Sequence, residues 1–215
     1  EIKDVDVFIQ VADIFFDLVP HFQDLQVLDM GGGFKVPYHA NEKGTDIQLL
    51  AKKVGEVLNK FEITYGKKFQ VWFEPGKYLV SQCGYLITSV NVIKETPTVL
   101  FAGINSGFNH LIRPMFYEAY HPIRNISNPN GPIKNYAVTG NICETDNFAW
   151  DRPMNEIREN DLLVIDNAGA YGFEMGSNYN SRFLPAQVLF KEDQLHKIKK
   201  RDTLEDLLKN QIELN

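Results

Sequence analysis

The sequence is poor in cysteine and contains no long hydrophobic run. Its 215 residues include only two cysteines, Cys83 and Cys143, with no CxxC pair and no Cys/His metal spacing. We therefore expect neither a disulfide scaffold nor a metal site, and the composition favours a reducing compartment, here predicted to be the cytoplasm. No apolar segment approaches the roughly 18 residues that a membrane helix needs, so we expect no membrane partner.

Basic residues are also in the minority. Lys and Arg total 22 against 28 Asp and Glu, which makes the formal net charge −6. A nucleic-acid-binding domain would instead show a basic face, so we expect no nucleic-acid partner. The basic cluster at Lys197, Lys199, Lys200 and Arg201 runs into acidic residues and is interpreted as the solvated face of a helix.

Several motifs of common enzyme classes are missing as well. The five histidines form no metal-ligand spacing and no HExxH motif, and no GxSxG elbow occurs. The chain also opens at Glu1, without an initiator Met or a signal peptide, which suggests a fragment of a longer protein. The hydrophobic content of 44% is nevertheless enough to bury a core.

The first third of the chain predicts an α/β arrangement. Apolar residues have helical spacing over 5–19, with Pro20 as a stop, and again over 46–64. Short apolar strands are predicted at 27–30 and 70–73, and each ends in a turn that contains glycine. Helices that alternate with buried strands are typical of a parallel sheet.

The pattern changes near residue 80. From there on, β-rich stretches are separated by turn residues, and we predict an antiparallel β domain over 80–215 after an α/β part over 1–79. An amphipathic helix is predicted over 202–212. The predicted strands of the second domain lie at 85–93, 98–104, 134–139, 161–165 and 186–190.

Three glycines, Gly31 to Gly33, follow the first predicted strand. Such a turn lets the backbone approach a ligand closely and aim N–H groups at an anion. The dinucleotide pattern fails because Val36 stands where it requires Gly, and no P-loop is present. A tight turn without a ligand and a phosphate cradle both remain open.

A second turn, Glu74-Pro75-Gly76-Lys77, follows the second predicted strand. In an α/β barrel the loops after the last two strands often bind phosphate, and two loops with glycine fit that arrangement. Glu74 could pair with a ring nitrogen, although a surface turn explains the spacing equally well.

Cys143 stands beside Glu144 in the loop 140–146. A thiol with such neighbours can shuttle a proton near a bound cofactor. The alternative is a half-buried structural cysteine. Cys83 has no comparable neighbours and is interpreted as structural.

Two further segments contain residues that could bind a ligand. Small residues crowd around Tyr171 in the segment 168–180, as a backbone that passes a ligand or another chain would require, although a buried packing segment has the same pattern. Arg113 and Tyr117, four residues apart, could hold a carboxylate, and an ordinary surface pair is the alternative.

Taken together, five segments in this order resemble the fold type III pyridoxal-phosphate-dependent decarboxylases. They are LDMGGGFKVPY (28–38), FEPGKYLV (73–80), IRPMFYEAYH (112–121), GNICETDNFA (140–149) and DNAGAYGFEMGSNYNSR (166–182). The resemblance implies the last strands of a TIM-type barrel followed by an antiparallel β domain. It also implies pyridoxal 5'-phosphate as cofactor and the decarboxylation of meso-diaminopimelate to L-lysine.

The resemblance also implies roles for individual residues toward the cofactor. Gly32 and Gly33 would hold the cofactor phosphate, helped by Pro75 with Gly76, by Lys77 and by Tyr171. Glu74 would pair with the protonated ring nitrogen and keep the ring an electron sink.

Other residues would serve the amino-acid substrate. Cys143 would return a proton to the substrate after carbon dioxide leaves. The distal carboxylate would be held by Lys77, Arg113 and Tyr117, and the distal ammonium by Glu144. Tyr171 would also contact the substrate. In this family the Cys-Glu loop reaches into the partner's site, so a homodimer with shared active sites is expected.

The sequence departs from the family in three ways, and the least important is the run RFLPAQ (182–187), which differs from the usual Arg-x-Arg-Pro-x-Glu. Lys77 stands where the family usually has Arg, which replaces a bidentate fork by a point charge. The segment that carries the cofactor-binding lysine is not in this chain, so we expect the chain alone to be inactive. The alternatives are a decarboxylase of ornithine, arginine or carboxynorspermidine and a non-catalytic regulator with the same fold.

Overall fold

The computed structural model of the protein describes residues 1–213 and divides into two compact units. The first unit is Glu1–Gln82, and the second begins at Cys83. Each unit has a buried hydrophobic core of its own. No helix of the described part of the chain is both long and apolar enough to cross a membrane.

The first unit combines helices with two parallel strands. In chain order the elements are α1 (Val5–Leu18), β1 (Val27–Asp29), α2 (Ile47–Tyr65), β2 (Gln70–Trp72) and α3 (Gly76–Val80). A 3-10 turn, Val19–His21, follows α1, so Pro20 lies inside this turn, two residues beyond the helix that it was predicted to end. The short helix α3 was not predicted, because five residues are too few to display a period.

Side chains at the helix ends explain where α1 and α2 begin. The carboxylate of Asp4 accepts the N–H of Asp6 at 2.9 Å, and that of Asp46 accepts the N–H of Leu49 at 2.9 Å. Each bond satisfies a donor that has no partner within the helix. Gly66 ends α2 at φ 78°, a left-handed conformation that favours glycine.

The two strands pair in parallel, and their hydrogen bonding continues beyond the strand ends. Val27 lies opposite Gln70 and Asp29 opposite Trp72. Past the strands, the N–H of Met30 donates to the carbonyl of Trp72 at 2.9 Å. The loops that follow β1 and β2 are therefore held against each other.

The second unit is built on a six-stranded sheet with the order β5-β8-β3-β4-β6-β7. Two further strands, β9 and β10, form an antiparallel hairpin. The strands are β3 (Leu86–Glu95), β4 (Leu100–Ile104), β5 (Ile123–Asn125), β6 (Ile133–Thr139), β7 (Asn147–Asn155), β8 (Leu162–Ile165), β9 (Gln187–Lys191) and β10 (Gln194–Lys199), with helices α4 (Arg113–Tyr117) and α5 (Leu204–Leu208).

The six-stranded sheet is mixed, whereas the sequence pattern predicted antiparallel strands throughout. The pair β4–β6 is parallel, with Phe101 opposite Ala137, and the other four pairs are antiparallel. A parallel pair needs a long connection. Residues 105–132 provide it, because α4 and β5 lie between β4 and β6.

Two residues of the basic cluster lie in a strand and the other two follow it, so the interpretation of the cluster as a helix face is wrong. Lys197 and Lys199 lie in β10, which pairs with β9 across a turn at Glu192 and Asp193. Both turn residues have positive φ, 51° and 57°. This conformation matches the twist of a two-residue hairpin and determines the pairing. The tail helix α5 is shorter than predicted and begins at a capping box formed by Thr203.

Tyr136 is the largest fully buried side chain in the hydrophobic core of the second unit. Its ring is 1% exposed, and its hydroxyl oxygen accepts the buried N–H of Ile157 at 2.9 Å. The hydroxyl thus fixes the segment after β7 to the neighbouring strand β6.

Tyr136→Phe leaves the N–H of Ile157 buried without an acceptor. We expect the free energy of unfolding to fall by about 1–3 kcal/mol, the cost of one unsatisfied buried donor. Urea-induced unfolding measures it. Tyr85→Phe, at a position 58% exposed, is the control and should change stability by less than about 0.5 kcal/mol. Equal losses in the two variants would contradict this role of the hydroxyl.

Candidate functional site

The three glycines after β1 form a tight turn that a larger residue would not fit. The N–H of Gly31 donates to the Asp29 carboxylate at 2.9 Å. Gly31 and Gly33 have φ of 67° and 85°, in the left-handed region. A Cβ at Gly32 would overlap the carbonyl oxygen of Glu74, so this position requires glycine because the second loop passes so close.

Glu74 lies against this glycine turn, and its role toward a ring nitrogen stays a prediction. Its N–H donates to the carbonyl of Gly31 at 2.8 Å, and its own carbonyl accepts the N–H of Gly76 at 2.9 Å. Glu74 is exposed, so its carboxylate can reach a ligand. Gly32, Gly33, Glu74, Pro75 and Gly76 therefore form one small surface of the first unit.

The N–H groups of this surface differ in their availability. That of Gly76 is used within the turn. Among the described residues, no protein acceptor is present for the N–H of Gly32 or Gly33. Two unused donors in a left-handed glycine turn suit an anion such as a phosphate. The residues present thus fit the phosphate group that the resemblance implies.

Lys77 has two partners that the sequence did not reveal. Its ammonium forms an ion pair with the carboxylate of Glu1 and donates to the Tyr38 hydroxyl at 2.9 Å. The same ammonium lies 5.5 Å from the centre of the Tyr38 ring. The three residues are far apart in sequence, so only the fold could bring them together.

In the second unit, Cys143 and Glu144 lie on the exposed tip of the loop between β6 and β7. Cys143, Glu144 and Thr145 are exposed, whereas the flanking Ile142 and Asp146 are buried at 7% and 5% exposure. The thiol of Cys143 donates to the Glu144 carboxylate at 3.3 Å. The alternative of a half-buried structural cysteine is therefore wrong for Cys143. Cys83 is also exposed, and its structural role stays a prediction.

A neighbouring segment supports this tip from the side. The Tyr179 hydroxyl donates to Glu144, and Asn180 Nδ2 lies 3.9 Å from Cys143 Sγ. The Arg182 guanidinium donates to the carbonyl of Asn141 at 3.2 Å. The Tyr179 hydroxyl lowers the pKa of Glu144, and the Glu144 carboxylate in turn raises the pKa of Tyr179. Sequence reasoning identified Cys143 and Glu144 but missed these supports.

Arg113 and Tyr117 lie together on α4. The Arg113 side chain is buried, with the residue 9% exposed, and its guanidinium carbon lies 5.8 Å from the centre of the Tyr117 ring. Tyr117 itself is 54% exposed. The alternative of an ordinary surface pair does not fit a buried arginine. A buried guanidinium capped by an exposed ring can serve a planar anion such as a carboxylate.

Tyr171 is 43% exposed in the otherwise packed stretch 168–172. Ala170 beside it is 2% exposed, and a Cβ at Gly172 would collide with the carbonyl of Ala168. The backbone of this segment is thus buried while the tyrosine ring extends outward. Within the described residues, no group of three or more His, Cys, Asp and Glu side chains could hold a metal ion.

The chain is similar in sequence to a known protein family and to curated relatives. The family model described as the C-terminal sheet domain of pyridoxal-dependent decarboxylases matches residues 26–169. The diaminopimelate decarboxylase of Methanothermobacter thermautotrophicus is 38% identical over 98% of this chain and 51% of its own length. That of Escherichia coli K12 is 36% identical over 86% of this chain and 47% of its own length. The chain spans about half the length of these curated relatives.

Solved structures are similar over the same extent. The diaminopimelate decarboxylase of M. jannaschii has a TM-score of 0.89 at 32% identity and covers 99% of this chain with 50% of its own. The enzyme of Helicobacter pylori complexed with L-lysine has a TM-score of 0.80 at 32% identity, over 95% of this chain and 49% of its own.

Tyr179→Phe removes the hydroxyl that donates to Glu144, so we expect the pKa of Glu144 to rise toward its ordinary value of 4.5. The support that this bond gives the tip is present above that ordinary value and is lost as the pH falls through the lowered pKa. Carbon-13 NMR titration of the side-chain carboxyl measures the change. Tyr85→Phe is the control, and an unchanged pKa in the Tyr179 variant would contradict the assignment.

Proposed function

Because this chain belongs to the pyridoxal-dependent decarboxylase family, we propose that it is the C-terminal part of an enzyme that decarboxylates meso-diaminopimelate to L-lysine. We call a protein that carries this chain together with the rest of a TIM-type barrel the complete enzyme. Support comes from the names of its relatives and from the L-lysine complex of one of them. The observation that carries the proposal is the exposed tip on which Cys143 donates to Glu144.

The cofactor would be pyridoxal 5'-phosphate. Gly32 and Gly33 would bind its phosphate with their unused N–H groups. Because Gly76 has no side chain, the backbone there could also come close to the cofactor. Pro75, Lys77 and Tyr171 would complete the binding surface. Glu74 would hold a proton on the ring nitrogen, and when bound in this way the cofactor serves as an electron sink.

The distal end of the substrate carries both a carboxylate and an ammonium group. Arg113 would bind the carboxylate with its planar fork, with Tyr117 and Tyr171 as hydroxyl donors. Lys77 would add a positive charge for the same carboxylate. Glu144, the acid on the exposed tip, would accept the ammonium.

Cys143 would supply the proton that replaces carbon dioxide on the substrate. Its thiol hydrogen already points to Glu144 in the structure, so the proton is held at Sγ beside a carboxylate. The exposed tip could extend into a second subunit, and we propose a cytoplasmic homodimer in which each active site takes Cys143 from the partner.

Two alternative functions are possible for a protein with this fold. A decarboxylase of ornithine, arginine or carboxynorspermidine would not need Arg113 and Tyr117 to hold a distal carboxylate. A non-catalytic regulator would not need Cys143 beside Glu144. The intact pairs in both places favour the enzyme that acts on diaminopimelate.

Release of carbon dioxide from a set of amino acids tests the proposed function. The complete enzyme with pyridoxal phosphate should decarboxylate meso-diaminopimelate and produce L-lysine, with little turnover of ornithine, arginine, carboxynorspermidine or lysine. Faster turnover of any of these four would reassign the substrate. Cofactor binding without turnover of diaminopimelate or of any of these four amino acids would favour a regulator.

Cys143→Ala should lower kcat of the complete enzyme by about 10²–10⁴-fold, the range for a positioned acid. Cofactor binding should persist, because Cys143 is not among the residues that would bind the cofactor. Cys83→Ala, at the other exposed cysteine, is the matched control and should keep kcat. If the Cys143 variant turned over within a few-fold of the wild type, Cys143 would not be the proton donor.

Lys77→Ala should raise KM for diaminopimelate, because the positive charge near the distal carboxylate is lost. Lys77→Arg should keep KM or lower it, since the guanidinium can form a bidentate pair. Lys53→Ala removes an ammonium that bonds Asp6 on the helical side of the same unit and is the control. An unchanged KM in Lys77→Ala would remove Lys77 from the substrate site.

Mixing two inactive variants tests the shared site. Glu74→Gln and Cys143→Ala subunits should each be inactive, whereas their mixed dimers should regain activity. Each mixed dimer has one site with both residues intact if Glu74 and Cys143 come from different subunits. Failure to regain activity in mixed dimers, confirmed by mass spectrometry, would place both residues in one subunit.

A further inference from the structure

The carboxylate of Asp146 is buried beneath the exposed tip that carries Cys143 and Glu144. Asp146 is 5% exposed, and each of its oxygens accepts a backbone N–H from a different segment. One oxygen accepts the N–H of Phe108 at 2.8 Å, in the turn after β4. The other accepts the N–H of Ile142 at 3.1 Å, in the loop of the tip itself. A single side chain thus connects the two loops.

The surrounding backbone is shaped to receive this carboxylate. A Cβ at Gly107 would lie 2.9 Å from an oxygen of Asp146, and a Cβ at Gly140 would overlap the carboxylate. The base of the loop is closed by two backbone bonds, from Gly140 N–H to the Asp146 carbonyl at 2.7 Å and from Asn141 N–H to the Ser106 carbonyl at 2.9 Å. These contacts leave little freedom to the residues between Ile142 and Asp146.

Such a buried acid is costly to the fold. The pKa of Asp146 is raised to about 6, mainly by burial and to a smaller extent by the nearby Glu144 charge, against the opposing effect of the Ile142 and Phe108 N–H donors. Among the described residues, no cation forms an ion pair with Asp146. An unfavourable group in a tight cavity next to reactive residues is often retained for function.

We propose that Asp146 is a positioning residue for decarboxylation, which holds the loop 140–146 so that the Cys143 thiol and the Glu144 carboxylate stand at their working positions. This inference rests on the proposed function and extends it, since Asp146 is buried and acts through Cys143 and Glu144. The two N–H bonds to Phe108 and Ile142 carry the effect.

The test is Asp146→Asn in the complete, cofactor-loaded enzyme. Asparagine keeps the volume and one acceptor oxygen, but its amide hydrogens face a backbone donor. We expect kcat for diaminopimelate to fall by about 10- to 100-fold, as when a reacting group moves by about 1 Å. The visible spectrum and the dissociation constant of the cofactor should stay unchanged. The rate at which iodoacetamide alkylates Cys143, measured by mass spectrometry of the peptide that contains it, should also differ from the wild-type rate.

Asp161→Asn is the matched control in the same unit. Asp161 is 6% exposed and accepts the N–H of Arg158 at 2.9 Å and the amide of Asn125 at 2.8 Å, but it bonds neither loop. Its variant should lower the melting temperature while kcat stays within about twofold of the wild type, as expected for a site away from the reacting groups. If the two variants lowered kcat equally, Asp146 would be merely structural and the proposal would be wrong.

Gly107→Ala keeps the test decisive if Asp146→Asn does not fold. Its added methyl group would lie 2.5 Å from the Ile142 side chain and 2.9 Å from the Asp146 carboxylate, so it would displace the carboxylate together with the loop residue Ile142 without removing either. The value of kcat should fall with the fold retained. Wild-type kcat and labelling rate in Gly107→Ala would overturn the proposal. Two measurements separate the two levels: a wild-type enzyme that does not decarboxylate diaminopimelate refutes the proposed function itself, whereas an active wild-type enzyme with a normal Asp146→Asn variant refutes only the role of Asp146.

Discussion

Backbone N–H groups in tight loops need acceptors, and the way in which this structure satisfies them determines where the candidate site residues stand. In the first unit the carbonyl of Gly31 accepts the N–H of Glu74, which fixes the two loops together and leaves Gly32 and Gly33 with unused donors. In the second unit the carboxylate of Asp146 accepts one backbone N–H from each of two loops, those of Phe108 and Ile142. Glu74 and Cys143 owe their positions to these bonds.

The fold was predictable where apolar spacing is regular, and it was missed where polar residues or short length hide the period. Helix α2 and the strands β1 and β2 follow from such spacing. Strand β7 does not, because Asp151, Arg152 and Pro153 interrupt its alternation, and a proline is tolerated there because β7 is at the edge of the sheet. Strand β10 was concealed by its lysines.

The candidate site shows the same division between local and distant information. Cys143 and Glu144 are neighbours in sequence, so their pairing could be anticipated from the loop alone. The contact between Tyr179 and Glu144 joins residues 35 positions apart, and that between Lys77 and Tyr38 joins residues 39 apart. Contacts of this kind depend on the path of the chain, which no single motif contains.

A crystal structure of the complete enzyme with pyridoxal phosphate and L-lysine tests the central claim most directly, through the distances from the cofactor to this chain. We predict phosphate oxygens within hydrogen-bonding distance of the Gly32 and Gly33 N–H groups, the ring nitrogen beside the Glu74 carboxylate, and Cys143 of the partner subunit near the lysine Cα. A phosphate bound elsewhere, or a ring nitrogen with no contact to Glu74, would contradict the assignment of this chain to the cofactor site.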